Sequence, residues 1–111
     1  MKSDVLDSLF AARRKVSRLI IALSPKDDRE RASLDDLLRD RDRLTAAINQ
    51  VIDQQFTASW SKLDGAASEL SIATLKLEAV EAKVDRLESA LKIVDEVLAA
   101  AAKVVGLIAG A

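Results

Sequence analysis

From Leu63 to Ile108 the apolar residues recur at alternating steps of three and four. The series is Leu63, Ala66, Leu70, Ala73, Leu77, Val80, Val84, Leu87, Leu91, Val94, Leu98, Ala101, Val105 and Ile108. This spacing holds one stripe on one side of an α-helix and fits no strand, where side chains alternate by two. It predicts a single long helix over about 61–108, ~70 Å at the helical rise. Leu dominates one position of the repeat, while Ala66, Ala73 and Ala101 at the other let a neighbouring backbone approach closely. Between residues 76 and 96 the other faces are charged, and Glu88 and Lys92 form a favourable i,i+4 pair.

The rest of the chain carries the same grammar. Half the residues are apolar, with 19 Ala and 16 Leu against two Phe, one Trp and no Tyr. Such a set favours helix over strand throughout, so the fold class is all-α: a single domain of two shorter helices and one long C-terminal helix, with coiled-coil character. Helix one, about 4–23, has its stripe at Val5, Leu9, Ala12, Val16, Leu19 and Leu23, with Ser3 as N-cap. Ser24-Pro25 stops it, because proline disfavours helical geometry in the residue before it.

Helix two, about 26–56, shows Leu34, Leu37, Leu38, Leu44, Ile48, Val51, Ile52 and Phe56, a face broad enough to touch two neighbours. Arg41 falls on its stripe, where the stem packs and the guanidinium reaches water. An alternative start near residue 34 is marked by Ser33-Leu-Asp-Asp36, but the earlier one is preferred. Between helices two and three, a turn near 57–61 competes with a bent continuous helix. Ser61-Lys-Leu-Asp64 resembles a capping box and Gly65 weakens helix there, which favours the turn.

Composition narrows the chemistry. There is no Cys and no His, so the commonest nucleophile, general base and transition-metal ligands are missing. Serines 59, 61, 68, 71 and 89 have no His to activate them, and nothing marks the pocket that a Lys-assisted serine would need. The carboxylate-rich run over 27–43 lacks the spacing and glycine of a calcium loop, and its alternating signs read as a solvated face. No catalytic, cofactor or metal site is therefore expected, and the chain reads as non-enzymatic. The net charge of −1 divides into +4 over residues 1–26, −3 over 27–53 and −2 over 54–111. Helices one and two are thus complementary if paired antiparallel. The one basic cluster, Arg13, Arg14, Lys15 and Arg18, is expected to serve that pairing and not nucleic acid, since the chain is acidic overall and has no aromatic stacking set.

Trp60 is a possible interface anchor, or a cap over a bundle end. A Trp near an interhelical turn, with neither Cys nor His, is loosely similar to small helical-hairpin exported proteins that carry a Trp-x-Gly turn. The run here is Trp60-Ser-Lys-Leu-Asp-Gly65, so that motif is absent and nothing is carried over.

The last stretch, LAAAAKVVGLIAGA, holds one charge, Lys103. It is too short for a span of about 18 or more apolar residues, and no signal sequence is evident; cytoplasm is the default expectation. A second row, Ile93, Val97, Ala100, Val104 and Leu107, joins the first, so this end should be buried on several sides. Helices of ~30 and ~40–45 Å cannot line a ~70 Å helix on all its apolar sides. The surplus stripe then needs a partner, another copy or a different helical protein. The expected interface is Leu77, Val80, Val84, Leu87, Leu91, Val94, Leu98, Ala101, Val105 and Ile108. The alternative function is a membrane-active, pore-forming-like protein whose apolar end inserts into a bilayer after a conformational change.

Overall fold

The computed structural model describes residues 2–54 and 61–109. They form four α-helices in a bundle: α1 (Lys2–Ala22), α2 (Asp28–Asp53), α3 (Ser61–Ala79) and α4 (Leu87–Ala109), with a single 3-10 turn at Val84–Arg86 leading into α4. Two of these starts differ from the local signals. Ser3 lies inside α1 and is not its cap. The cap of α2 is Asp27, whose carboxylate accepts from the Glu30 N–H at 2.8 Å, while Glu30 accepts from the Lys26 N–H at 2.6 Å. α2 therefore begins at Asp28, two residues beyond the expected 26, and its first turns are largely exposed.

At the other end α2 stops at Asp53, and Gln54 is extended (φ −89°, ψ 138°). A helix running unbroken from α2 into α3 is thereby ruled out. Phe56, Trp60 and most of the 57–61 turn lie outside the described residues.

The helices occupy the corners of a square in the order α1, α2, α4, α3. α1 and α2 form one hairpin. α3 and α4 form the other, antiparallel, since Glu69 faces Lys103 and Lys76 faces Glu96. α2 and α4 run parallel, with Arg29 paired to Glu88 at one level and Asp40 near Asp95 at another. α1 and α3 also run parallel, joined by the Thr74 hydroxyl donating to the Ser8 carbonyl at 3.5 Å. Both hairpin turns consequently sit at the same end of a slender body 49 Å long.

The core is the set of stripes turned inward. α1 contributes Val5, Leu9, Ala12, Val16 and Leu19, and α3 contributes Leu63, Ala66, Leu70, Ala73 and Leu77, as the spacing requires. In α2 the buried positions are Leu37, Asp40, Leu44, Ala47, Ile48 and Val51. Asp40, not Arg41, holds the stripe, and Ile52 is about half exposed. In α4 the fully buried row is Leu87, Ala90, Val94, Val97, Ala101, Val104 and Ile108, with Ala100 beside it.

The single helix over 61–108 is corrected by the structure: it folds back on itself across residues 80–83. The turn contains neither Gly nor Pro. The Val80 N–H closes on the Leu77 carbonyl at 3.1 Å, the Lys83 N–H on the Glu81 carbonyl at 2.9 Å, and the Arg86 N–H on the Lys83 carbonyl at 3.0 Å. Burial explains the break. Interrupting a helix in water loses a few backbone bonds at about 1 kcal/mol each. Covering Leu87, Val94, Val97, Val104 and Ile108 returns roughly 1.5–3 kcal/mol for each side chain. A straight helix longer than its neighbours would leave that stripe in water. Folding back supplies α3 and α2 as its cover.

Candidate interaction face

The expected interface residues divide by burial. Leu77, Leu87, Val94, Ala101 and Ile108 are core residues, none more than 6% exposed, and their cover is the chain itself. Val80, Leu91, Leu98 and Val105 are half-buried and pack against that core. Val84 lies in the 3-10 turn. Ala90, Val97 and Val104 take the centre of the α4 face because α4 touches both α2 and α3, so its buried arc is centred between the two contacts. The second apolar row of the sequence had already marked Val97 and Val104.

Ile21 at the end of α1 and Ile52 at the end of α2 stand open singly, whereas the outside of α3 and its groove with α4 bring two large apolar side chains together. Ile72 and Leu75 are 54% and 63% exposed, on the side opposite Leu70, Ala73 and Leu77. Gly65, Ser68 and Ala79 share that outer side and are exposed as well. A cleft of about 420 Å3 runs between α3 and α4, floored by Ile72, Ala73, Ala99 and Ala100. Two ion pairs cross it, Lys103–Glu69 at 3.3 Å and Lys76–Glu96 at 3.6 Å, with all four side chains more than half exposed. Exposed pairs of this kind contribute less than about 1 kcal/mol to stability, so their main effect is to set charge along the groove. On α4, Ala99, Ala102 and Gly106 are exposed beside it. A methyl group built at Gly106 would meet nothing. The packing of this chain therefore does not require glycine there, although glycine inside a helix costs about 1 kcal/mol relative to alanine.

The groove between α2 and α4 is polar. It holds Asp36, Arg39, Asp40, Arg43, Leu91 and Asp95 around a cleft of about 220 Å3. Burial pushes the Asp40 carboxyl above the ordinary carboxylate range, and the charge of Asp95 adds to the rise. Arg43 opposes it from 3.9 Å. A carboxylate on the stripe of an amphipathic helix breaks the apolar pattern, and nothing in the stripe itself marked residue 40 as the position that turns inward.

A wider trough, about 590 Å3, lies between α1 and α3 and is ringed by Asp4, Asp7, Ser8, Asp64, Ser68 and Ser71. Its hydroxyls have no imidazole or thiol beside them, because the chain contains neither. Among the described residues no group of three or more carboxylates is placed to hold a metal ion. The basic cluster of α1 is used partly inside the bundle. The Arg13 guanidinium lies 5.2 Å from the Phe10 ring centroid and donates to the Thr45 hydroxyl of α2 at 3.4 Å. Among the described residues no helix is long and apolar enough to cross a membrane. Comparisons with protein-family models, curated proteins and solved structures find no match.

Proposed function

We propose that the protein is a non-enzymatic assembly or adaptor subunit that works through coiled-coil-type contacts between helix faces. The observation that carries this reading is the outer side of α3, where Ile72 and Leu75 stand in water beside the alanine-floored groove with α4. Two large aliphatic side chains three residues apart are the anchors that an incoming helix covers. Ala99, Ala102 and Gly106 leave room for a close backbone, and the Lys76–Glu96 and Lys103–Glu69 pairs along the groove select partner and register. The occupant is a helix of another chain, either a second copy or a helical partner protein. The absence of Cys and His, which leaves the Asp- and Ser-lined trough between α1 and α3 without an imidazole or thiol, supports a binding role over catalysis.

The test is solution mass across protein concentration, by light scattering, for the native chain and for the double variant Ile72→Glu/Leu75→Glu. Association that grows with concentration and is lost in the variant, with helix content unchanged, is the expected result. Association that the double variant leaves untouched removes this face from consideration.

A further inference from the structure

The turn between α3 and α4 is built from residues that prefer to be helical. Val80, Glu81, Ala82 and Lys83 include no Gly, Pro, Asn or Ser, and no described residue in the chain adopts a positive φ. The apolar stripe crosses the turn in register, through Leu77, Val80, Val84 and Leu87. The other hairpin turn differs at every point, with Ser24-Pro25 and the Asp27 cap. One turn is therefore fixed by proline and a capping side chain, whereas the other has only a few backbone bonds and the exposed Lys83–Glu81 pair of its own, and the burial of α4 supplies the rest of its hold.

We propose that the chain forms a domain-swapped dimer in which residues 80–86 straighten, α3 and α4 merge into one helix, and α4 of each copy takes the α4 place in the other. Exchange of identical elements preserves their contacts and is an inexpensive route to association. The pairs Lys103–Glu69, Lys76–Glu96 and Arg29–Glu88 all re-form between copies. The hinge gains the helical hydrogen bonds that the turn forgoes. The merged helix of residues 61–109 measures ~74 Å at the helical rise and outruns the 49 Å bundle, so the two bundles meet end to end at their hairpin-turn ends. That end carries Ile21, at 83% the most exposed large apolar side chain among the described residues, one turn before Ser24-Pro25. The swap does not rest on the outer face of α3, since Ile72 and Leu75 keep the same surroundings in both forms.

The test uses the full chain carrying Ile72→Glu/Leu75→Glu, so that association through the outer face is already removed. Cysteines are added as Lys76→Cys/Glu96→Cys, on positions that face each other across α3 and α4. The chain has no other cysteine. Protein is heated through its transition, cooled at high concentration and separated by size. The dimer fraction is then diluted and bridged with a short bis-maleimide. The expected result is a species of twice the 12.0 kDa chain mass whose cross-link joins two chains on a denaturing gel. Glu81→Ala/Lys83→Ala, which raises helix propensity in the hinge, should increase the dimer fraction several-fold, and Ala82→Gly should lower it. A chain that stays monomeric with both the native hinge and the alanine hinge overturns the proposal. So does a dimer whose cross-link stays within one chain.

Discussion

The two hairpins of this bundle reach the same shape by different means. The turn between α1 and α2 is written locally, with proline to stop one helix and an Asp27/Glu30 cap to start the next. The turn between α3 and α4 has no proline, glycine or capping signal in its residues, and arises because α4 needs cover that α3 and α2 chiefly provide. A local turn survives changes in distant packing; a turn imposed by packing does not. Helix boundaries set by capping chemistry can thus be read from short motifs, whereas boundaries set by burial depend on residues far away in the chain.

The largest expected effect follows from putting a charge into that cover. Val97→Asp, at a position 0% exposed, should cost about 3–5 kcal/mol and abolish a cooperative thermal transition, whereas Leu98→Asp, half-buried on the same helix, should cost clearly less. Circular dichroism melts of the two variants compare them directly, and equal costs would mean that the α4 face is centred elsewhere. Next in size is Leu70→Ala in the α3 stripe, expected to lose about 2–5 kcal/mol in urea titrations. Asp27→Ala should cost about 1 kcal/mol by removing the cap of α2. Ala82→Ser in the other turn should change monomer stability by less than about 0.5 kcal/mol, because that turn has no capping side chain to lose.

The all-α class was legible in the sequence, and the number of helices was not. Val5, Leu9, Ala12, Val16 and Leu19 of α1, and Leu63, Ala66, Leu70, Ala73 and Leu77 of α3, turn inward as the three-and-four spacing marks them, because that spacing keeps them on one side of each helix. The cap of α2 is an Asp-x-x-Glu signal at residues 27–30, of the same kind as the later signal at Ser33-Leu-Asp-Asp36. The fold-back at residues 80–83 was not legible. An unbroken heptad describes which side of a helix is apolar, and says nothing of whether that side is covered by a partner or by the helix doubling over. The length mismatch was the available clue: a ~70 Å stripe beside two shorter helices needed cover, and the chain itself supplies it. The outer face was not legible either, because Ile72 and Leu75 lie off the main stripe and its spacing does not mark them.

The smallest effect is electrostatic. Asp40 has its carboxyl pKa raised in the fold, so folding favours its protonated form. Its charged form therefore weighs against the fold at neutral pH, and the cost disappears as pH falls through the raised value towards the ordinary 3.8. Asp40→Asn should accordingly stabilise the protein at pH 7, with an advantage that shrinks on acidification and vanishes below pH 3.8. Urea midpoints measured for both proteins across that range give the sign, and an advantage that grows on acidification would reverse it.

Electron–electron distance between spin labels at Glu69→Cys and Lys103→Cys, in dilute monomer, probes the fold-back most directly. These side chains face one another with charged atoms 3.3 Å apart and are 34 residues apart in the chain. A short distance, set by two labels across adjacent helices, is the expected result. A distance near ~51 Å, the length of 34 residues in one straight helix, would contradict it.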